Sequence, residues 1–247
     1  ERRDEDAAEG GCGVVGLASE VPVAGRHLFA SLEQMRNRGN GKGGGVAMVG
    51  MDPEQFGVDA RTLSDSYLYA VAYLNSSVRD AVEETSIHPN FHIDHIHEMP
   101  ALASWEEDLP ALDTRPPDVV CYFVRPRDDA LDDFISDKLH DVIDPNDREA
   151  ASEEFVFHTT HSLNVEFYAK DGRTDAFVLS HGRDLLILKI VGYAEDVIRF
   201  YGLDDMTAHV WIVHHRYPTR GRVPHPRGPH PFGPAIDSPP LPNTGSA

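Results

Sequence analysis

Two residues near opposite ends of the chain could together carry out covalent chemistry on a carbonyl compound. Cys12 lies in the run Cys-Gly-Val-Val-Gly at residues 12–16, and Arg216 lies in His-His-Arg-Tyr-Pro-Thr at residues 214–219. A thiolate is a nucleophile, and a guanidinium group binds a carboxylate through two parallel charge-assisted hydrogen bonds. The pair predicts a site in which Cys12 attacks the substrate, Arg216 holds its carboxylate and Thr219 adds a hydroxyl group.

The thiol of Cys12 needs a base to remove its proton. If the bond between Gly11 and Cys12 were cleaved, Cys12 would carry a free α-amino group, and such a group has a pKa of roughly 7.7–8.0. That amine could take the thiol proton directly or through a water molecule. By residue type alone, Cys12 could equally be a structural cysteine in the core, and Arg216 a surface arginine paired with an acid.

Arg38 and Gly39 lie between these two residues in the chain. Arg38 could brace a loop over the nucleophile, or it could be one of the basic residues that the helix dipole favours at a helix end. Histidine-rich stretches raise the alternative of a metal site, but their spacing on strands and the lack of a nearby cysteine do not favour one. These histidines are His88, His92, His95, His97, His214, His215, His225 and His230.

The elements that must position these residues are mostly strands. Residues 12–18 predict a buried strand, and the spacing of Leu28, Leu32 and Met35 predicts a helix that ends at Arg38 and Gly39. Residues 193–201 and 128–143 also predict helices. Because strands and helices do not alternate regularly, the sequence predicts one α+β domain. The other expected strands are 46–49, 67–74, 91–97, 118–124, 153–158, 163–168, 175–179, 185–191 and 210–214, with 175–179 and 185–191 forming a hairpin.

The composition limits the partners and the compartment. The 247 residues are 40% hydrophobic, and no apolar run approaches the ~20 residues of a membrane span. The net charge of −19 disfavours nucleic acid and anionic membranes as partners, and with only four lysines it suggests a salt-rich cytoplasm, although an ordinary acidic protein is the alternative. Two cysteines are too few for a disulfide framework, and Cys121 is expected to be an inert core thiol. The charged first residues do not suit a signal peptide, so we expect a cytoplasmic protein.

Taken in order and at their spacing, the motifs resemble those of the class II glutamine amidotransferases. The similarity is greatest to the stand-alone glutaminase-domain subunit of archaeal-type glutamate synthase, and it covers roughly residues 12–233. The motifs are Cys-Gly-Val-Val-Gly at 12–16, a helix and Arg-Gly turn at 32–39, a glycine-rich strand at 43–47, a hairpin and helix start at 177–196, the arginine motif at 211–219 and His-Pro-Phe at 230–232.

The resemblance implies a fold, a reaction and a partner. The fold would be the αββα sandwich of the N-terminal-nucleophile hydrolases, here incomplete at its C-terminus, with a glutamine amidotransferase type 2 domain at 12–233. Cys12 would form a γ-glutamyl thioester with L-glutamine and release ammonia and then glutamate, without a cofactor. Arg216 and Thr219 would bind the substrate, with Arg38 and Gly39 in support. The ammonia would pass to a glutamate synthase-type partner. Residues 1–11 would be a disordered leader or propeptide, and 234–247 a proline-rich tail.

The chain departs from the family pattern towards its C-terminus. Arg220 stands where the family has asparagine, and neither the His-Asn-Gly segment of the oxyanion hole nor the later ammonium-binding aspartate is present. We therefore expect a truncated or frameshifted reading of a longer gene. An alternative is a catalytically impaired remnant or regulatory partner with the same fold. A third is an N-terminal-nucleophile hydrolase that acts on a different amide.

Overall fold

The computed structural model describes residues 11–139 and 147–217. Within them lie eight β-strands and seven α-helices. The strands are β1 (Gly13–Ala24), β2 (Gly44–Met51), β3 (Tyr67–Tyr73), β4 (Phe91–Glu98), β5 (Asp118–Pro126), β6 (Ala176–Ser180), β7 (Leu185–Ile190) and β8 (Thr207–His215). The helices are α1 (Phe29–Gln34), α2 (Ala60–Asp65), α3 (Arg79–Val82), α4 (Trp105–Asp108), α5 (Asp128–Phe134), α6 (Arg148–Asn164) and α7 (Ala194–Phe200).

The strands form two four-stranded antiparallel sheets, which confirms the predicted α+β class. The first sheet has the order β1-β8-β2-β7 and the second the order β4-β5-β3-β6. The first sheet therefore places the two ends of the described chain, β1 and β8, side by side. Residues 1–10 of the leader predicted at 1–11, the predicted domain end at 233 and the tail predicted at 234–247 lie outside the described residues, as does Thr219.

Two apolar clusters hold these layers together. One face of the first sheet, with Val46, Leu188 and Trp211, shares a cluster with α1, α7 and one face of the second sheet. The other face of the second sheet, with Tyr69 and Tyr122, packs against α3, α5 and α6. Helix α7 contacts both sheets. Its N-terminal end lies against β2 of the first, and the hydroxyl of Tyr201, just after its last turn, donates a 2.8 Å hydrogen bond to a carbonyl just before β5.

The helix that leads to the Arg38–Gly39 turn is shorter than its pattern predicts. It begins with a 3₁₀ turn at Gly25–Leu28, continues as α1 and ends in a second 3₁₀ turn at Arg36–Arg38. The predicted end at Arg38 and Gly39 is confirmed, because Gly39 has extended backbone angles. Strand β1 is longer than predicted and runs on to Ala24.

The strands predicted at 153–158 and 163–168 are wrong. Residues 148–164 form α6, and a π-helical turn continues it over Val165–Ala169. β-branched and aromatic residues give this segment a local preference for strand, but Ala151, Phe155, Thr159 and Leu163 recur every four residues and are buried. That spacing gives a helix one apolar stripe, and packing the stripe against the second sheet overrides the local preference.

The hairpin predicted between 175–179 and 185–191 is also wrong, although both strands exist. Strand β6 pairs with β3 in the second sheet, whereas β7 pairs with β2 in the first. The turn between them is tied to the first sheet, because the carboxylate of Asp184 accepts hydrogen bonds from the backbone amides of Gly50 and Met51 at 3.0 and 3.1 Å. The chain therefore crosses from one sheet to the other here.

Within the described part of the chain, none of the helices has the length and apolar character that a membrane crossing requires.

Candidate functional site

The pairing of β1 with β8 brings Cys12 next to Arg216. Gly13 is opposite His215 in this antiparallel pair, so one further step along both strands puts Cys12 beside Arg216. The backbone amide of Tyr217 donates a hydrogen bond to the Cys12 sulfur over 3.4 Å, and the same sulfur lies 3.9 Å from the Tyr217 carbonyl oxygen. Cys12 is exposed. The nucleophile and the carboxylate-binding residue proposed from the sequence therefore lie at one edge of one sheet.

Arg216 is fixed through its backbone, while part of its side chain is left without a partner. Its amide donates a 2.8 Å hydrogen bond to the carbonyl of Gly43, the residue just before β2. The Nη1 atom of its guanidinium group is buried and has no hydrogen-bond partner. A buried donor without a partner costs about 1–3 kcal/mol, more when it is charged. An anionic ligand at this atom would remove that cost.

Arg38 and Gly39 lie directly beneath the ends of the two strands. A Cβ atom added to Gly13 would stand 2.8 Å from the Cβ of Arg38, and one added to Gly39 would stand 2.8 Å from the Cβ of His215. Both distances are shorter than real Cβ contacts, so each glycine is needed for close packing. The turn thus supports the first residue of β1 and the last residue of β8.

The second cysteine lies apart from this site. Cys121 is in β5 of the second sheet and is fully buried. Burial raises the pKa of its thiol well above the usual range. Its environment agrees with the predicted inert core thiol.

A buried polar cluster that no sequence pattern predicted lies on the opposite side of the strand end. The Nδ1 atom of His215 accepts a 3.3 Å hydrogen bond from the amide of Ala194, and its Nε2 atom lies 3.5 Å from Oε2 of Glu195. Arg36 donates a 2.8 Å hydrogen bond to Oε1 of Glu195, and its guanidinium carbon lies 4.4 Å from the ring centre of Tyr193.

This cluster keeps His215 neutral. Burial lowers its pKa to about 4, and burial raises the pKa of Glu195. Because Nδ1 accepts from the Ala194 amide, we assign the ring proton to Nε2, on the side of Glu195. The start of α7 is thereby joined to the segment that contains Arg38. The Gly-Tyr-Ala-Glu-Asp motif at 192–196 was a signal for this contact, but its residues gave no role when read one by one.

Among residues 11–139 and 147–217, no group of three or more histidines, cysteines or acids is arranged to hold a metal ion.

Comparison with known proteins shows a distant archaeal relative. The chain matches no protein-family model. A protein of Archaeoglobus fulgidus that is named "Uncharacterized protein" is 25% identical over 213 residues, which are 84% of this chain and 47% of the relative. The chain thus spans about half the length of the curated relative it matches. That name states no activity.

Proposed function

We propose that Cys12 and Arg216 form the glutamine site of a class II glutamine amidotransferase domain. The observation that carries the proposal is the pairing of β1 with β8, whose register brings the exposed residue Cys12 next to Arg216. Side chains directly opposite each other in an antiparallel pair share one face of the sheet. One bound molecule can therefore reach both groups.

In the proposed reaction, the thiol of Cys12 converts the side-chain amide of L-glutamine into a thioester. The thiolate attacks the amide carbon, the tetrahedral intermediate collapses, and the carbon–nitrogen bond breaks as the nitrogen takes a proton and leaves as ammonia. Water then attacks the γ-glutamyl thioester, which releases glutamate and restores the thiol. The base would be the α-amino group of Cys12, freed when the residues before it are removed.

Arg216 is proposed to bind the α-carboxylate of glutamine. Its guanidinium group has a buried Nη1 atom without a partner, and a carboxylate supplies the charge and geometry that such a donor requires. Thr219 is proposed to add a hydroxyl contact. Arg38 and Gly39 would act indirectly, by packing against the ends of β1 and β8 and holding them in place.

The finer features of the fold and the biology belong to the same proposal. Two antiparallel sheets that share an apolar core, with α3, α5 and α6 packed on the far face of the second sheet, support an αββα sandwich of the N-terminal-nucleophile type, whereas α1 and α7 lie on the core-facing side of the first sheet. The net charge of −19 supports a salt-rich cytoplasm and a partner other than nucleic acid. The resemblance of the motifs supports a glutamate synthase-type subunit as the receiver of the ammonia.

A glutaminase assay in molar potassium chloride tests the proposal. We expect the chain with Cys12 as its first residue to release ammonia from L-glutamine and the Cys12→Ala variant to release none. The Arg216→Met variant should require a much higher glutamine concentration for the same rate. Equal activity in Cys12→Ala would reject the mechanism. The alternative of an impaired remnant, which the missing His-Asn-Gly segment favours, predicts glutamine binding without ammonia release.

A further inference from the structure

A cleft of about 270 Å³ lies at one end of the second sheet, where β3 ends, β5 begins and β4 ends. In the strand register Tyr73 is opposite Asp118, and Glu98 is opposite Val120. Because side chains alternate along β5, Asp118 and Val120 share a face, and the residues opposite them share it too. Tyr73, Asp118, Glu98 and Val120 thus line the cleft from one face of the sheet.

A chain of hydrogen bonds joins two residues of the cleft, Tyr73 and Glu98. The hydroxyl oxygens of Tyr73 and Tyr122 are 2.8 Å apart, and the Tyr122 hydroxyl donates a 2.7 Å hydrogen bond to Oε1 of Glu83. Arg79 donates from Nε to Glu83 over 2.8 Å and from Nη1 to Glu98. Burial raises the pKa values of both tyrosines, so both hydroxyl groups keep their protons at neutral pH.

The direction of these hydrogen bonds leaves the cleft with acceptors for a ligand. Because Tyr122 gives its one hydroxyl proton to Glu83, Tyr73 must donate to Tyr122, and the oxygen of Tyr73 can then only accept. Glu98 and Asp118 each bond to an arginine through a single carboxylate oxygen, Oε1 and Oδ1. The second oxygen of each carboxylate is therefore an acceptor that a ligand can use.

The charges around the cleft are unequal. Three carboxylates, those of Glu83, Glu98 and Asp118, stand against the two guanidinium groups of Arg79 and Arg115. Arg79 lies between two of these carboxylates, so an anionic ligand would meet their repulsion as well as its attraction. A ligand with one positive charge would balance the cluster.

We propose that this cleft binds a primary ammonium group at the end of a short alkyl chain. The ammonium group has three N–H donors, and Glu98, Asp118 and Tyr73 supply three acceptors. The alkyl chain would lie against Val120 and Ala101, which also line the cleft. The cleft is smaller than the ~300 Å³ at which pockets for drug-sized ligands begin, so it suits a small ligand. Free amines and the side chain of lysine both carry this group.

Titration of the full chain at constant ionic strength, followed by the NMR signals of its backbone amides, tests the cleft. The probes are butylamine, 1-butanol and butyrate, which have alkyl chains of similar length and differ in charge. We expect butylamine to shift the signals of Val120 and Ala101 and to bind at least tenfold more tightly than the other two. Glu98→Gln should weaken butylamine binding about tenfold. The control Glu166→Gln, at a surface acid paired with Lys170, should leave it unchanged.

A variant that fills the cleft tests the site without changing its charge. Ala101→Phe keeps every carboxylate and should abolish butylamine binding. Butylamine affinity that is unchanged in both Glu98→Gln and Ala101→Phe would overturn the proposal, as would butyrate or 1-butanol that binds as tightly as butylamine. Circular dichroism identifies a variant that does not fold, and Tyr73→Phe, which removes one acceptor, then carries the test.

A lysine whose amino and carboxyl groups are capped distinguishes the two sources of the ammonium group. Weaker binding of capped lysine than of butylamine would assign the cleft to a free amine, and tighter binding would assign it to a lysine side chain of a partner protein. None of these measurements involves Cys12 or Arg216, so their outcome is independent of the proposed function.

Discussion

The backbone amide of Tyr217 donates a hydrogen bond to the sulfur of Cys12 over 3.4 Å, although 205 residues separate the two in the chain. The bond continues the pairing of β1 with β8 beyond its last paired residues, Gly13 and His215. It therefore fixes the thiol relative to Arg216, which immediately precedes Tyr217. The thiol and the arginine proposed to act together thus lie at one end of the β1–β8 pair.

The two cysteines should differ sharply in reactivity towards an alkylating agent. Cys12 is exposed, whereas Cys121 is buried and its thiol pKa is raised by burial. Iodoacetamide should modify one thiol in the folded protein and two after denaturation, and peptide mass spectrometry should place the first modification on Cys12. Rapid modification of Cys121 in the folded protein would contradict the described core.

Gly44 and Gly16, both in the first sheet, should differ strongly in how well they tolerate substitution by alanine. A Cβ atom on Gly44 would lie 2.5 Å from the carbonyl carbon of Tyr193 and 2.6 Å from the amide nitrogen of Ala194, whereas one on Gly16 would meet nothing within 4 Å. We expect Gly44→Ala to reduce the free energy of unfolding by about 1–3 kcal/mol, because backbone must move. The matched control Gly16→Ala should keep or slightly raise it. Denaturant unfolding measures both, and equal midpoints would count against α7 packing on β2.

Local sequence was sufficient for the elements that carry the site. Each of these elements has its own local signal, either an apolar pattern or a helix-breaking glycine. The elements are the strand after Cys12, the turn at Arg38 and Gly39, and the strand before Arg216. No local sequence pattern indicated that β6 and β7 join different sheets. Their separation involves contacts distant in sequence, such as those of Asp184 with β2. The contact between His215 and Glu195 could not be predicted either, because the burial of an acid depends on residues that are distant in the sequence.

Acid should destabilise the fold through His215. Its pKa is lowered from 6.5 to about 4, so between these values the unfolded chain binds more protons and stability falls as the pH decreases. The loss should reach about 3 kcal/mol at pH 4 and level off just below that pH. The buried acids Glu195 and Asp196, whose pKa values are raised, act in the opposite direction.

The variant His215→Asn isolates this effect, because its Oδ1 atom can still accept from the Ala194 amide. The difference in unfolding free energy between the parent chain and this variant should decrease as the pH falls from 7 to 4. A difference that stays constant with pH would show that His215 is not held neutral in the folded state.

Replacing Arg216 by lysine should weaken substrate binding more than it slows the chemistry. Lysine keeps the charge and loses the planar pair of donors that a carboxylate accepts. We expect KM for L-glutamine to rise about 10- to 100-fold with a much smaller change in kcat. Arg61→Lys, at an exposed arginine of α2, is the control. A fall in kcat at constant KM would assign Arg216 a different role.

The most direct measurement of the central claim is the mass of the chain after reaction with a glutamine analogue that carries an electrophilic ketone in place of the amide. A single adduct should form on Cys12. Excess L-glutamine should prevent formation of this adduct, and Cys12→Ala should abolish it. The Arg216→Met variant should form the adduct only at a far higher concentration of the analogue. An adduct on another residue, or one on Cys12 that neither L-glutamine nor the Arg216 substitution affects, would contradict a glutamine site built from these two side chains.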